Sequence, residues 1–445
     1  MTVTRYFTDY AWLGGDRVSD RVLVEVDGDR ISAVRAGVER PADAVHLPGI
    51  TVPGMANAHS HAFHRALRGR THRGGGTFWT WREDMYHIAE RLTPDSYHVL
   101  ARALYAEMAL AGISCVGEFH YVHHDRDGSP YRDRNAMGDA LVAAAQEAGI
   151  RITLLDTCYL AGGVGTPLQG PQLRFGDGDA DGWVNRVSEL RAAPHAKIGA
   201  AIHSVRAVPP AAIDTVAGWS RERHAPLHVH LSEQRAENEA CLAAYGRTPA
   251  QLLDRHQALG PGSSAVHATH LTADDIALLS GSGTAVCMTP TTERDLADGI
   301  GPARTLADAG CAVTLGSDSN AVVDLIEEAR AVELDERLRS ERRGHWTAAE
   351  LLRAATGDGH ASLGWSEAGR LAPGALADFV TIGLDSVRLS GAEPATMLEH
   401  VVFAATAADV SDVVVGGRRI VAGHRHALLG DVPAALDAAV KAVTR

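Results

Sequence analysis

The sequence predicts a (β/α)8 barrel, a TIM-like α/β fold, carrying a small β-sandwich domain built from both ends of the chain. Eight short apolar runs alternate with amphipathic stretches between residues 51 and 316. The two ends instead show the alternation and glycine turns of antiparallel strands. A doubly wound parallel sheet is the alternative, but no Gly-x-Gly-x-x-Gly turn follows the first strand.

Taken in order, Val22-Leu23-Val24-Glu25-Val26 and Arg30-Ile31-Ser32-Ala33-Val34 flank the turn-forming triplet Asp27-Gly28-Asp29. Towards the C-terminus, residues 377–382 and 413–421 repeat that texture, the second folding back at Gly416-Gly417. This assigns 1–50 and 370–445 to the β-sandwich domain and 51–369 to the barrel. Barrel strands are expected at 51–56, 113–119, 152–156, 198–202, 227–229, 264–266, 284–288 and 312–316. Helices are expected between them, at 94–111, 135–148, 209–222, 234–244, 248–258, 272–280 and 302–309. In such a barrel the chemistry gathers at the C-terminal ends of the strands. Segment 68–90 follows the first strand, carries Gly74-Gly75-Gly76 and is expected to act as a lid.

Composition narrows the class. The 445 residues are 45% hydrophobic and 22% charged, enough for a large core plus a small second one. No run of 18 uncharged apolar residues appears, so a membrane span is not expected. The N-terminus lacks an apolar signal-peptide core. The five cysteines form no Cys-x-x-Cys pair and read as reduced thiols of a cytoplasmic protein. A net charge of −13 argues against nucleic acid as a partner.

The richest stretch is Val52-Pro53-Gly54-Met55-Ala56-Asn57-Ala58-His59-Ser60-His61. Side chains at i and i+2 of an extended backbone face the same way, so His59 and His61 can share one metal ion. With 23 histidines in the chain, roughly one His-x-His pair arises by chance, so the pair needs context. The expected strand ends supply it: His230 ends the fifth strand, His267 the sixth, and Asp318 follows the eighth. His59, His61, His230 and Asp318 make a three-imidazole, one-carboxylate set for a single divalent ion with a position open to water. Zinc suits it, as do iron or manganese. Bound zinc brings the pKa of its water down to roughly 7.

This order of ligands, with the flanking β domain, resembles the amidohydrolase superfamily, and His230-Leu231-Ser232-Glu233 resembles the His-x-x-Glu of its mononuclear deaminases. More narrowly, Asn57–Phe63, Phe78-Trp79-Thr80-Trp81-Arg82-Glu83, Gly117-Glu118-Phe119-His120-Tyr121, Ile202–Val208 and Asp298-Gly299-Ile300 resemble the N-formimino-L-glutamate deiminase family. The likeness runs along essentially the whole chain. It implies hydrolysis of N-formimino-L-glutamate to N-formyl-L-glutamate and ammonia in histidine degradation, by a homodimeric zinc enzyme. Asp318 would activate the water attacking the formimino carbon, Glu233 would shuttle protons to the departing nitrogen, and His267 would orient water or substrate. Arg82, Tyr121, His203 and Arg206 would hold a small anionic dicarboxylate, since arginine offers a fork that fits carboxylates. One departure stands out: His64 occupies a substrate-contact position where the family carries glutamine. Three other readings stay open: an aminohydrolase acting on guanine or a related heterocycle, a hydrolase releasing glutamate and formamide, and a non-catalytic barrel scaffold. Lys197, before the fourth strand, is expected at the surface, and Trp79 and Trp81 either wall the pocket or pack a loop.

Overall fold

Two eight-stranded sheets divide the chain in this computed structural model, which describes residues 3–72 and 76–445. The first is a mixed sheet from both ends: β1 Thr4–Ala11, β2 Ser19–Asp27, β3 Arg30–Arg35 and β4 Val45–Pro53, then β13 Phe379–Ile382, β14 Val410–Val415, β15 Arg418–Ala422 and β16 Arg425–His426. Its order is β16-β15-β14-β13-β4-β1-β2-β3, with β4 antiparallel to β13 and parallel to β1. Alternation gives it a core of its own, in which Tyr6, Val24, Ile31, Leu47, Phe379 and Val414 pack together. The glycine hairpin expected at Gly416-Gly417 joins β14 to β15, both glycines at positive φ.

The second sheet is the barrel: β5 Met55–Ser60, β6 Ile113–His120, β7 Arg151–Cys158, β8 Ala196–Ile202, β9 Leu227–Leu231, β10 Ser263–His267, β11 Ala285–Met288 and β12 Val313–Leu315. All are parallel and pair in chain order. Their side chains are buried almost throughout, because helices cover the outside while barrel side chains fill the inside.

The last strand returns to the first at its C-terminal end. The His61 N–H donates to the Asp318 carbonyl and the Asp318 N–H to the His59 carbonyl, each at 3.0 Å. Glycine at 316 permits this approach, since a Cβ there would sit 2.8 Å from His59. Buried Asn57 accepts from the Ser317 N–H at 2.9 Å and donates to its hydroxyl at 2.7 Å. Asn320 donates back to Ser60 Oγ and the His61 carbonyl.

Two boundaries differ from expectation. The apolar run at 51–56 is divided: β4 of the end sheet continues to Pro53, and the barrel begins at Met55. Both sides of the break are buried, so hydrophobicity does not mark it. Gly54 does, because a Cβ there would meet Ser114 Oγ at 2.3 Å. Within the stretch given to the β-sandwich, Val432–Thr444 forms a helix whose Val432 and Leu436 rest on Ala103 and Ala106 of the barrel helix α2, Pro94–Leu110. Of the expected lid, Phe78–Arg91 is helix α1, while Gly74 and Gly75 lie outside the described residues. Among the described residues no helix is long and apolar enough to cross a membrane, and all five cysteines are free and buried.

A buried ion pair ties the two sheets together. Arg151, opening β7, donates to both oxygens of Asp378 at 2.6 and 3.0 Å, and the Gly416 N–H adds a third bond. Replacing Asp378 by alanine strands a buried guanidinium, and the expected loss is about 3–5 kcal/mol. Urea denaturation measures it. A change below about 1 kcal/mol would show that the pair contributes nothing specific.

Candidate active site

At the closed end of the barrel four donor atoms converge. His59 Nε2 lies 3.2 Å from His230 Nε2 and 3.4 Å from Asp318 Oδ1, and His61 Nε2 lies 3.4 Å from the same oxygen. Zinc–ligand bonds of about 2.0–2.1 Å at a tetrahedral angle separate donors by about 3.4 Å, so the spacing suits one small divalent cation. The protonation states suit it too. His61 donates its Nδ1–H to the Phe119 carbonyl at 2.9 Å, which turns the lone pair of Nε2 inward. Burial pushes His59, His61 and His230 below the ordinary histidine range, so the rings are neutral. Burial alone would raise the Asp318 carboxyl, but its neighbours, His59 first and then His267 and His61, hold it well below the usual range. Three lone pairs and a carboxylate facing one another in a buried space call for a cation.

The strand ends reach this geometry through backbone that non-glycine residues seldom adopt. Ser232, His267, Ala268, Asp318 and Asn320 all have φ between 41° and 68°. These turns aim Glu233, His267 and Asp318 at one point. His267 Nε2 is 3.9 Å from both Glu233 Oε1 and Asp318 Oδ2. Burial raises the Glu233 carboxyl, and although burial opposes it, Glu233, Glu293 and Asp318 lift His267 to about 10.

Ten of the eleven candidate residues line one cleft with about 540 Å³ of empty space, its open mouth included. His59 lies fully buried behind it. His64 sits where its Nε2 meets the Tyr121 hydroxyl at 3.0 Å, and that hydroxyl reaches Met85 Sδ. His203 packs against Tyr159 and Tyr121, with Nδ1 3.2 Å from Ser204 Oγ. Arg82, on α1, lies over the Trp79 ring at 4.5 Å; Trp79 is 43% exposed, whereas Trp81 lines the cleft. Arg206 donates from Nε to Glu237 Oε2 at 3.3 Å and brings NH2 within 3.8 Å of Glu233. Lys197 is at the opposite end of the barrel strands, its Nζ bonded to the Gly364 carbonyl.

A profile of the amidohydrolase family matches residues 50–420. The chain belongs to that family. It is 37% identical over 423 residues to a formimidoylglutamate deiminase of Pseudomonas aeruginosa, covering 92% of this chain and 91% of the relative. An 8-oxoguanine deaminase of the same organism is 30% identical over 90% of each chain. Among solved structures, an amidohydrolase from Brucella melitensis superposes with a TM-score of 0.90 at 33% identity, over 99% of this chain and all of the other. Where the four donors converge, two groups, His59 with His61 and His230, and His61 with His64 and Asp318, could hold a metal ion.

Several residues of this amidohydrolase site escaped the sequence reading. Glu237 sits four residues after Glu233, a spacing that a helical reading places on one face, but nothing marked it as the partner of Arg206. Of the aromatic walls, Tyr86 lies on helix α1 and Tyr159 and Phe175 lie outside the helices and strands, none of them in a motif. Thr289 and Glu293 stand behind His267 and are taken up below.

Another group, His120, His123 and Asp156, also brings possible donor atoms within 4.8 Å of one another. There the position of a cation is taken. Arg186 contacts both oxygens of Asp156 at 2.8 Å and both oxygens of Asp177 at 2.7 and 2.9 Å, and Trp183 adds a bond to Asp156. Metal analysis of the purified protein should therefore give one ion per chain, lost in His230→Ala and retained in His123→Ala. Asp177 yields a second expectation. Burial opposes its ionisation, but His124 and Arg186 hold its pKa below the ordinary value. Its stabilisation is thus fully present above the unfolded pKa of about 3.9 and is lost as pH falls below it. The stability gap between wild type and Asp177→Asn, measured by urea midpoints, should be constant above about pH 5 and shrink below about pH 4.

Proposed function

We propose that the protein is a deiminase that hydrolyses N-formimino-L-glutamate to N-formyl-L-glutamate and ammonia, with Zn2+ held by His59, His61, His230 and Asp318. The observation that carries this reading is one cleft lined by two kinds of group. The guanidiniums of Arg206 and Arg82, with Tyr121 and His203, share it with Glu233 and the metal donors. A small molecule with two carboxylates and one amidine matches both kinds of group; an uncharged heterocycle leaves the arginines unused.

Zinc, when bound, supplies Lewis-acid polarisation and lowers the pKa of water to about 7. The chain's own groups do the rest. Arg206 and Arg82 fix the carboxylates, setting the formimino carbon beside Asp318 and Glu233. Asp318 Oδ2 accepts a proton from the water that adds to that carbon. Glu233, whose burial favours the protonated carboxyl, delivers a proton from Oε1 to the terminal nitrogen as the water oxygen adds, then takes up the hydroxyl proton of the tetrahedral adduct. The proton held by Asp318 passes to the same nitrogen, the C–N bond breaks, ammonia leaves and both carboxyl groups return to their starting states. His267 Nε2, equidistant from both carboxylates, orients the oxygen as charge moves. Tyr121 and His64 share one hydrogen bond beside the site, so an imidazole fills the place of the family's glutamine and still presents a polar edge.

Zinc-loaded protein should release ammonia from N-formimino-L-glutamate with N-formyl-L-glutamate as the organic product, and should leave guanine untouched. Arg206→Ala should lower kcat/KM by about 10²-fold or more while keeping its zinc, as expected for a lost charge-assisted contact of about 3 kcal/mol. Formamide and glutamate as products, or turnover of guanine alone, would overturn the reading.

A further inference from the structure

Behind His267, on the side away from the cleft, lies a buried polar chain. His267 Nδ1 is 3.1 Å from Thr289 Oγ1, and that hydroxyl donates to Glu293 Oε1 at 3.4 Å. The Thr289 N–H donates to the same oxygen at 3.2 Å, and His267 Nδ1 is itself 3.7 Å from it. Thr289 is fully buried, and His267 and Glu293 nearly so. Thr289 immediately precedes the short helix Pro290–Asp295 and Glu293 stands one turn inside it, so one helical turn places both groups.

The polarity of this chain follows from counting protons. A carboxylate accepts only, and the Thr289 hydroxyl has one proton to give. If that proton goes to Glu293, Thr289 Oγ1 can only accept from His267. Nδ1 must then carry a proton whether the ring is singly or doubly protonated, and Nε2 is the nitrogen that faces Glu233 and Asp318. We propose that Thr289 and Glu293 are positioning residues that lock His267 with Nδ1 protonated, presenting Nε2 to the reacting atoms. The arrangement follows the logic of a base oriented by a carboxylate, with a hydroxyl inserted between them. It also offsets the positive φ of 68° at His267, since the side chain is held from behind as well as by its strand. The kinetic part of the proposal rests on the deiminase reading above; the tautomer does not.

Thr289→Val removes the hydroxyl at nearly constant volume, and Thr289→Ser keeps it. In zinc-loaded protein with N-formimino-L-glutamate, the valine variant should lose about 10–100-fold in kcat with KM within about twofold and zinc content unchanged. The serine variant should recover most of the loss. Equal kcat in valine and wild type, or losses of kcat, KM and thermal midpoint together that serine does not recover, would overturn the proposal. Independently of turnover, protein labelled with 15N in its imidazoles should show a hydrogen-bonded, slowly exchanging proton on His267 Nδ1 that exchanges faster in Thr289→Val, with His267→Asn identifying the signals. A bare Nδ1 would overturn the proposal by itself. Should wild type fail to turn over this substrate while Nδ1 carries its proton, the substrate assignment falls and the lock stands.

Discussion

Everything at this site depends on how the barrel closes. Strands β5 and β12 lie at the two ends of the sheet order, and the backbone bonds His61 to Asp318 and Asp318 to His59 bring them together at the C-terminal end. Three of the four candidate metal donors, His59, His61 and Asp318, sit on those closing segments. A cation bound there would balance the Asp318 carboxylate and also fasten the seam, so metal binding and barrel closure would stabilise one another. The buried amides of Asn57 and Asn320 hold the same seam where a metal does not reach, and Gly316 allows the backbones to approach.

The price of that geometry is carried in the backbone. Five non-glycine residues at the ends of β9, β10 and β12 take left-handed φ values, each costing of order 1–3 kcal/mol. Such conformations persist only where the surroundings over-determine them. Here they do: parallel strands fix the approach, and the side-chain amides of Asn57 and Asn320 fix the turn after β12. Of the eleven non-glycine residues at positive φ among the described residues, five lie at these strand ends.

How much of this the sequence disclosed follows from what kind of signal each feature leaves. Barrel strands are buried on both faces, so they register as short apolar runs, and the helices between them as amphipathic stretches. His59 and His61 share a face at spacing two, and His230, His267 and Asp318 each follow an apolar run, so strand-end logic found them. The division at Gly54 left no hydrophobic trace, because the chain passes directly from one core to another. The helix at 432–444 is held by tertiary packing, Val432 and Leu436 on Ala103 and Ala106, and Ala439 and Val443 in the main core. Thr289, Glu293 and Glu237 act on other side chains rather than on substrate or metal, and pairings of that kind exist only in three dimensions. His64 was legible as a departure, and its tie to Tyr121 was not.

The end sheet has a consequence for how the molecule is made. Strand β4 is central in the finished sheet, flanked by β1 and β13, yet it leaves the ribosome long before its second neighbour exists. Phe379 follows roughly 330 residues later, about 15 s to a minute at ordinary translation speeds. Throughout that interval Ile50 and Val52 lie on a bare, apolar edge of the kind that recruits strands from other chains. The barrel, emerging directly behind it, is synthesised while its own foundation is half built. Conditions that slow synthesis or crowd nascent chains should therefore be felt first at this edge, before any residue of the active site is at risk.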